Sequence, residues 1–191
     1  MRGFFLFVCL TGLVSCSLRQ GTYDKTYLDI DSLLNQQVSL LAHRPIRVEK
    51  SARIGQEESI STSTLDSISF TKELEVFRQV DAINKPGFRD EYEIQERADT
   101  KSNLTVRSYL SRGRGNIPAV RFYFLNDLRH LKKMEATVNE NNPLFASVRN
   151  LTMEFDQVGD QTILTSYQME GVQKMTLSDT VRYSVKTHIL E

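Results

Sequence analysis

The groups from which this 191-residue chain could build a catalytic or metal site are three histidines, two cysteines and 24 acidic residues. His43, His130 and His188 stand far apart in sequence, with none of the short local spacings that hold a metal ion. The acid pairs Glu57-Glu58 and Asp90-Glu91 fall in or beside strand-like segments. Successive strand residues point to opposite faces, so such a pair does not converge on one substrate atom. No Gly-x-Ser-x-Gly elbow is present. Gly113 and Gly115 of Arg-Gly-Arg-Gly are not followed by the helix that a phosphate-cradling loop requires. Arg112, Arg114 and Arg121 fit a solvated turn better than an anion-binding rim at one end of a sheet. The expectation is a non-enzyme with no metal and no cofactor.

The two cysteines fall in the most informative stretch. Residues 4–14 form an apolar run behind Arg2 that ends at Leu13-Val14-Ser15-Cys16. As a helix such a run rises only ~16 Å, about half the thickness of a bilayer's hydrocarbon, too short for a stable span. A short positive end, an apolar core and then small residues make the layout of a secretory signal peptide. Leu13-Val14-Ser15-Cys16 resembles the lipobox of bacterial lipoproteins: a branched apolar residue, a tolerated position, a small residue and a cysteine. The resemblance implies that a diacylglyceryl group is attached to the Cys16 sulfur, that the leader is then cut before Cys16, and that the new amine is acylated. A thiolate is the nucleophile such chemistry needs. On this reading Cys9 leaves with the leader and no disulfide remains; a Cys9–Cys16 bridge is the alternative, and it requires keeping a segment built for removal. Ser17 after the anchor implies an outer-membrane destination by the sorting rule of enteric bacteria.

Lys plus Arg equals Asp plus Glu, 24 of each, so the formal net charge is zero. No lobe is strongly basic, which argues against a nucleic-acid partner. Four prolines and nine glycines are too few for a long disordered linker. The expected organisation is a signal peptide over 1–15, a lipidated cysteine with a short tether over 16–26, and one domain over 27–191.

The elements of that domain are legible from period. Tyr27, Ile30, Leu34, Val38 and Leu41 make one helical stripe, predicted to run from about Asp24 to Ala42 and to stop at Arg44-Pro45. Ile46 to Ile54 alternates as a strand, and Gly55-Gln56-Glu57 turns. Residues 59–65 read either as a return strand or as a Ser/Thr-rich loop. Phe70, Leu74, Phe77 and Val80 mark a second helix, capped by Asp66, Ser67 or Ser69 and stopped by Asn84-Lys85-Pro86-Gly87. From Asp90 onward only strands are predicted, among them Leu104 to Leu110, Val120 to Phe124, Leu151 to Phe155, Ile163 to Met169 and Val181 to Ile189, joined by short turns.

Strands joined by short turns pair antiparallel, so the fold class is α+β: one curved antiparallel sheet of about eight or nine strands with two helices packed on one face. Eight strands at ~4.8 Å make a sheet nearly 40 Å wide, and two helices cover about half of it. Val120, Phe122, Phe124, Tyr167, Met169, Tyr183 and Val185 are the candidate lining of an apolar groove on the covered face. In element order the chain looks like the bacterial lipoprotein-localisation carriers and their outer-membrane receptor, a likeness of fold that carries little about function. The expected function is a membrane-anchored, non-catalytic binding or scaffold module of the cell envelope, with a lipid or protein partner there. The alternative is a carrier or receptor for lipid or acyl chains.

Overall fold

A computed structural model describes residues 25–176 and 179–190; Cys9, Cys16 and the expected leader lie outside them. Among the described residues nine strands form one curved, open antiparallel sheet, with two α-helices on its concave face. Helix α1 (Ile30–Leu41) leads into β1 (Ile46–Ile54) and β2 (Glu57–Leu65), followed by helix α2 (Ser67–Arg78). The chain then runs through β3 (Tyr92–Ala98), β4 (Thr105–Ser111), β5 (Ala119–Phe124), β6 (Leu131–Asn141), β7 (Phe145–Val158), β8 (Gln161–Met175) and β9 (Thr180–Leu190). The strand order is β2-β1-β9-β8-β7-β6-β5-β4-β3. Seven consecutive strands therefore form a meander. α2 and the 3-10 run Gln79–Asn84 carry the chain from one edge of the sheet to the other.

Helix α1 starts later than its apolar stripe predicts. Lys25 to Asp29 are not helical, and Asp29 caps the helix by accepting from the Ser32 amide. The reason is tertiary. Lys25 Nζ lies 2.7 Å from the buried Asp81 carboxylate, and the Tyr27 amide donates to Asn84 Oδ1 at 2.9 Å, which holds this segment out of the helix. Asp81 Oδ1 also accepts from the Ile30 amide and from Asn84 Nδ2. Of the three candidate caps of helix α2 it is Asp66 that serves, accepting from the Ser69 amide at 2.7 Å, while Ser67 and Ser69 lie inside the helix. Phe70, Leu74 and Phe77 are buried, and the following 3-10 run buries Val80 and Ile83.

A polar side chain completes the α1 contact. Gln37 is fully buried; its Nε2 donates to the Thr162 carbonyl and its Oε1 accepts from the Leu164 amide. Opposite Glu154 and Phe155 the partner residues are Ser166 and Leu164, so Thr165 is the extra residue of a bulge in β8. A bulge interrupts ladder pairing and leaves backbone groups to be satisfied by other means. Gln37 supplies that means.

On the concave face the core is continuous from α1 and α2 down to the central strands. Phe70 and Phe77 flank the Tyr167 ring at centroid distances of 6.4 and 5.9 Å. Tyr27, Tyr109 and Phe122 continue the cluster in tilted and edge-to-face contacts, with centroids 5.2 and 5.7 Å apart. Tyr92 joins this cluster and donates its hydroxyl to the Ile117 carbonyl at 2.9 Å. Burial, reinforced by the Glu91 charge, pushes the Tyr92 phenol up to about 12. Burial pushes Tyr123 to about 12 as well. A phenol whose folded pKa is raised contributes stability that is complete below its unfolded value of ~10 and is lost as pH rises through the folded value. The urea midpoint of the protein should therefore fall between about pH 10 and 12, and Tyr92→Phe should make that fall shallower. Parallel curves for the two proteins would show that Tyr92 ionises equally easily in both states.

Candidate functional site

Period two places all seven candidate groove residues on the concave face. Register joins three of them in one transverse row: Val120 opposes Ala136, Ala136 opposes Leu151, Leu151 opposes Met169, and Met169 opposes Val185. Their environments then divide. Val120, Phe122, Phe124 and Tyr167 are 4% exposed or less and form part of the filled core. Met169, Tyr183 and Val185 are half-buried.

The half-buried three belong to a corner of the concave face at the β1, β9 and β8 end of the sheet. Ile54 pairs with Tyr183 there, and Tyr183 in turn pairs with Gly171. Ile54 is 61% exposed, and Val181, one alternation further along β9, is 43% exposed. The Tyr183 ring lies directly on the Gly171 backbone: a Cβ at position 171 would stand 2.3 Å from Tyr183 Cζ. Only glycine admits this approach with the ring in place. The corner is thus an apolar surface with a tyrosine hydroxyl at its rim. Ile54 and Gly171, together with Val181, are the members that sequence reasoning left out of the groove. The alternation of β1 contained the first, and a glycine inside a strand pattern was the available signal for the second.

Beneath α2 the same face carries a short polar row. Lys50 opposes Thr187, and Thr187 opposes Tyr167. Lys50 Nζ pairs with Glu73 of α2 at 2.5 Å. Among the described residues Tyr167 Oη and Thr187 Oγ1 are buried without a hydrogen-bond partner. Burial, with the Glu73 charge behind it, raises the Tyr167 pKa well above that of a free phenol, so the hydroxyl stays protonated. The Lys50–Glu73 pair ties β1 to α2, and the protonated Tyr167 hydroxyl beneath it is not an activated nucleophile.

The other groups with chemical potential are dispersed. His43 lies between α1 and β1, His130 sits beside Asp127 in the turn before β6, and His188 is exposed on β9. Among the described residues no three of His, Cys, Asp and Glu approach closely enough to hold a metal ion. Arg112 and Arg114 share the β4–β5 turn, whereas Arg121 lies within β5 opposite Glu135. The three arginines do not gather in one turn. Glu91, buried beside that turn, accepts from the Arg114 amide at 2.6 Å, from Arg114 Nε at 2.8 Å and from the Ser111 hydroxyl at 3.1 Å. The bond from the Arg114 amide leads in holding the Glu91 carboxyl below its usual range.

A polar cleft of about 420 Å³ opens between the two helices, lined by Asp31, Arg78, Asp81, Lys85 and Asn116 among others. Its carboxylates are engaged by neighbouring cations: Arg78 pairs with Asp31 at 3.1 Å, and Lys25 with Asp81 at 2.7 Å. No helix of the described residues is long and apolar enough to cross a membrane. No protein-family model matches the chain, and no curated protein matches its sequence.

Proposed function

We propose that this chain is a lipid-anchored, non-catalytic binding or scaffold module of the bacterial cell envelope, held in the outer membrane through Cys16. The observation that carries the reading is Leu13-Val14-Ser15-Cys16 closing an apolar run behind Arg2. The filled concave core supports it: Val120, Phe122, Phe124 and Tyr167 occupy the space that a deep acyl tunnel would need. The partner is a lipid or a protein of the envelope, met at the surface.

One observation favours the second reading, a carrier or receptor for acyl chains. Met169, Tyr183, Val185 and Ile54 form an incompletely covered apolar corner on the concave face. A shallow surface of this kind gives weak, broad binding, because a good ligand site encloses most of its ligand. Titrating a fluorescent fatty acid into residues 17–191 separates the two. Little or non-saturating binding is expected of the scaffold. Tight, saturable one-to-one binding that Tyr183→Ala weakens would promote the carrier and displace the scaffold.

A further inference from the structure

The chain enters the described domain at a built corner. Lys25 Nζ reaches Asp29 at 2.5 Å and Asp81 at 2.7 Å. Two residues on, the Tyr27 side chain is buried and its hydroxyl donates to the Arg89 carbonyl at 2.8 Å. The start of the domain is thereby fastened to the loop over residues 85–91. That loop is in turn fastened to the β4–β5 turn. The Arg112 amide donates to the Glu91 carbonyl at 2.9 Å, and Arg114 pairs with the Glu91 carboxylate. Phe88 packs on Gly115, where an added Cβ would stand 2.9 Å from the ring and where φ is +84°, a conformation that favours glycine. Entry segment, loop and turn are one packed unit.

The exposed charged side chains of this unit are mostly cations. Lys85, Arg89, Arg112 and Arg114 are exposed beside the exposed carboxylate of Asp90, while the part-exposed Asp29 carboxylate of the entry segment is neutralised by Lys25. Glu91 is buried against Arg114. Among the described residues Lys85, Arg89 and Arg112 take part in no ion pair. We infer that this corner is the face the domain turns toward an anionic phospholipid surface. The inference rests on the anchoring of Cys16 proposed above. Lys25 lies nine positions after Cys16, a reach of at most ~30 Å when extended. The tether therefore arrives at the corner that carries the unpaired cations. A few such charges do not hold a free protein on a membrane. On a tethered domain they act at high effective concentration and set its orientation.

The test uses the full acylated protein reconstituted into vesicles. The chain has only two cysteines. With Cys9 removed in the leader and Cys16 acylated, an added cysteine is a unique labelling site. Gly87→Cys places a probe in the 85–91 loop, where a Cβ meets nothing within 4 Å. Lys101→Cys places one in the exposed turn at the opposite ends of β3 and β4, roughly 20 Å from Ser111 along β4. Quenching by headgroup-labelled lipid is read in phosphatidylcholine vesicles with and without phosphatidylglycerol.

In anionic vesicles the probe at 87 should be quenched at least about twofold more than the probe at 101. High salt, neutral vesicles, or Arg89→Glu with Arg112→Glu should each remove that difference. Equal quenching at the two sites in anionic vesicles, or a difference that ignores lipid charge and salt, overturns the inference alone. Failure of the unaltered protein to stay with vesicles overturns the anchor and the inference together.

Discussion

Cys16→Ser should take up no radioactive palmitate and should leave the membrane fraction. A serine hydroxyl at neutral pH is almost wholly protonated and a far weaker nucleophile than a thiolate, so the lipid-transfer step has no acceptor. In the lipoprotein pattern that Leu13-Val14-Ser15-Cys16 resembles, cleavage follows lipid attachment, so the variant should also persist as the longer precursor. The loss is large because anchoring is cumulative. Each buried CH₂ contributes ~0.8 kcal/mol; one chain binds reversibly, and several together do not dissociate on a cellular timescale. Cys9→Ser is the matched control and should label normally, since Cys9 lies within the expected leader. Label retained in Cys16→Ser, or lost in Cys9→Ser, would move the attachment site away from Cys16 and remove the basis of the proposed function.

Asp81→Ala is expected to lower the unfolding free energy by about 3 kcal/mol, read as a fall in melting temperature of roughly 10 °C. The Asp81 side chain is 7% exposed and serves three donors at once: Lys25 Nζ, the Ile30 amide and Asn84 Nδ2. Removing the carboxylate leaves a helix-start amide and a buried side-chain amide without their acceptor, and takes from Lys25 one of its three carboxylate partners, Asp29 and Asp31 remaining. The adjacent cleft admits water, which keeps the loss at the lower end of the range for buried pairs. Asp31→Ala makes the comparison. That carboxylate is 37% exposed, pairs with Lys25 and Arg78, and should cost under about 1 kcal/mol. Equal costs at the two positions would mean that the network is a solvated surface feature.

Much of the fold is legible where local pattern and tertiary environment agree. The alternation of Ile46 to Ile54 marks β1 to the residue, and the polar run of Asp66, Ser67 and Ser69 brackets the start of α2 to within three residues. Residues 59–65 stayed open between strand and loop because eight of the nine positions of β2 are exposed, so no buried face imposes a period. In β4 the local pattern groups Leu104, Val106, Ser108 and Leu110, yet the residue that enters the core cluster is Tyr109, opposite Val120. Only the register with β5 decides which alternate set faces the helices. The true start of α1 depends on Asp81 and Asn84, more than fifty residues further along the chain. Gln37, a polar residue inside an apolar stripe, becomes intelligible only beside the bulge it satisfies.

The candidate site follows the same division. Period two suffices to put Val120, Phe122, Phe124, Tyr167, Met169, Tyr183 and Val185 on one face. Which of them lie sealed and which stand half open depends on the path that α2 takes across the sheet, and no local signal encodes that path. The basic corner is further removed from local pattern. Lys85, Arg89, Arg112 and Arg114 come from two segments, brought together where Phe88 settles on Gly115 and Glu91 binds Arg114 and the Arg112 amide.

The passage of α2 from one edge of the sheet to the other also sets an order of events in folding. The β1–β2 hairpin joins the sheet solely by pairing with β9, Ala52 against Val185, more than a hundred residues apart. Strands β3 to β8 can pair with their sequence neighbours as they become available, but β1, paired early with β2, has no partner on its other edge until β9 arrives. Such a long-range closure is the slow kind of step, since its loop entropy must be overcome before its contacts form. Until residues 180–190 are in place the hairpin waits with two open edges. The sheet is therefore completed by its last strand, and a chain cut short before β9 would leave its first two strands unattached.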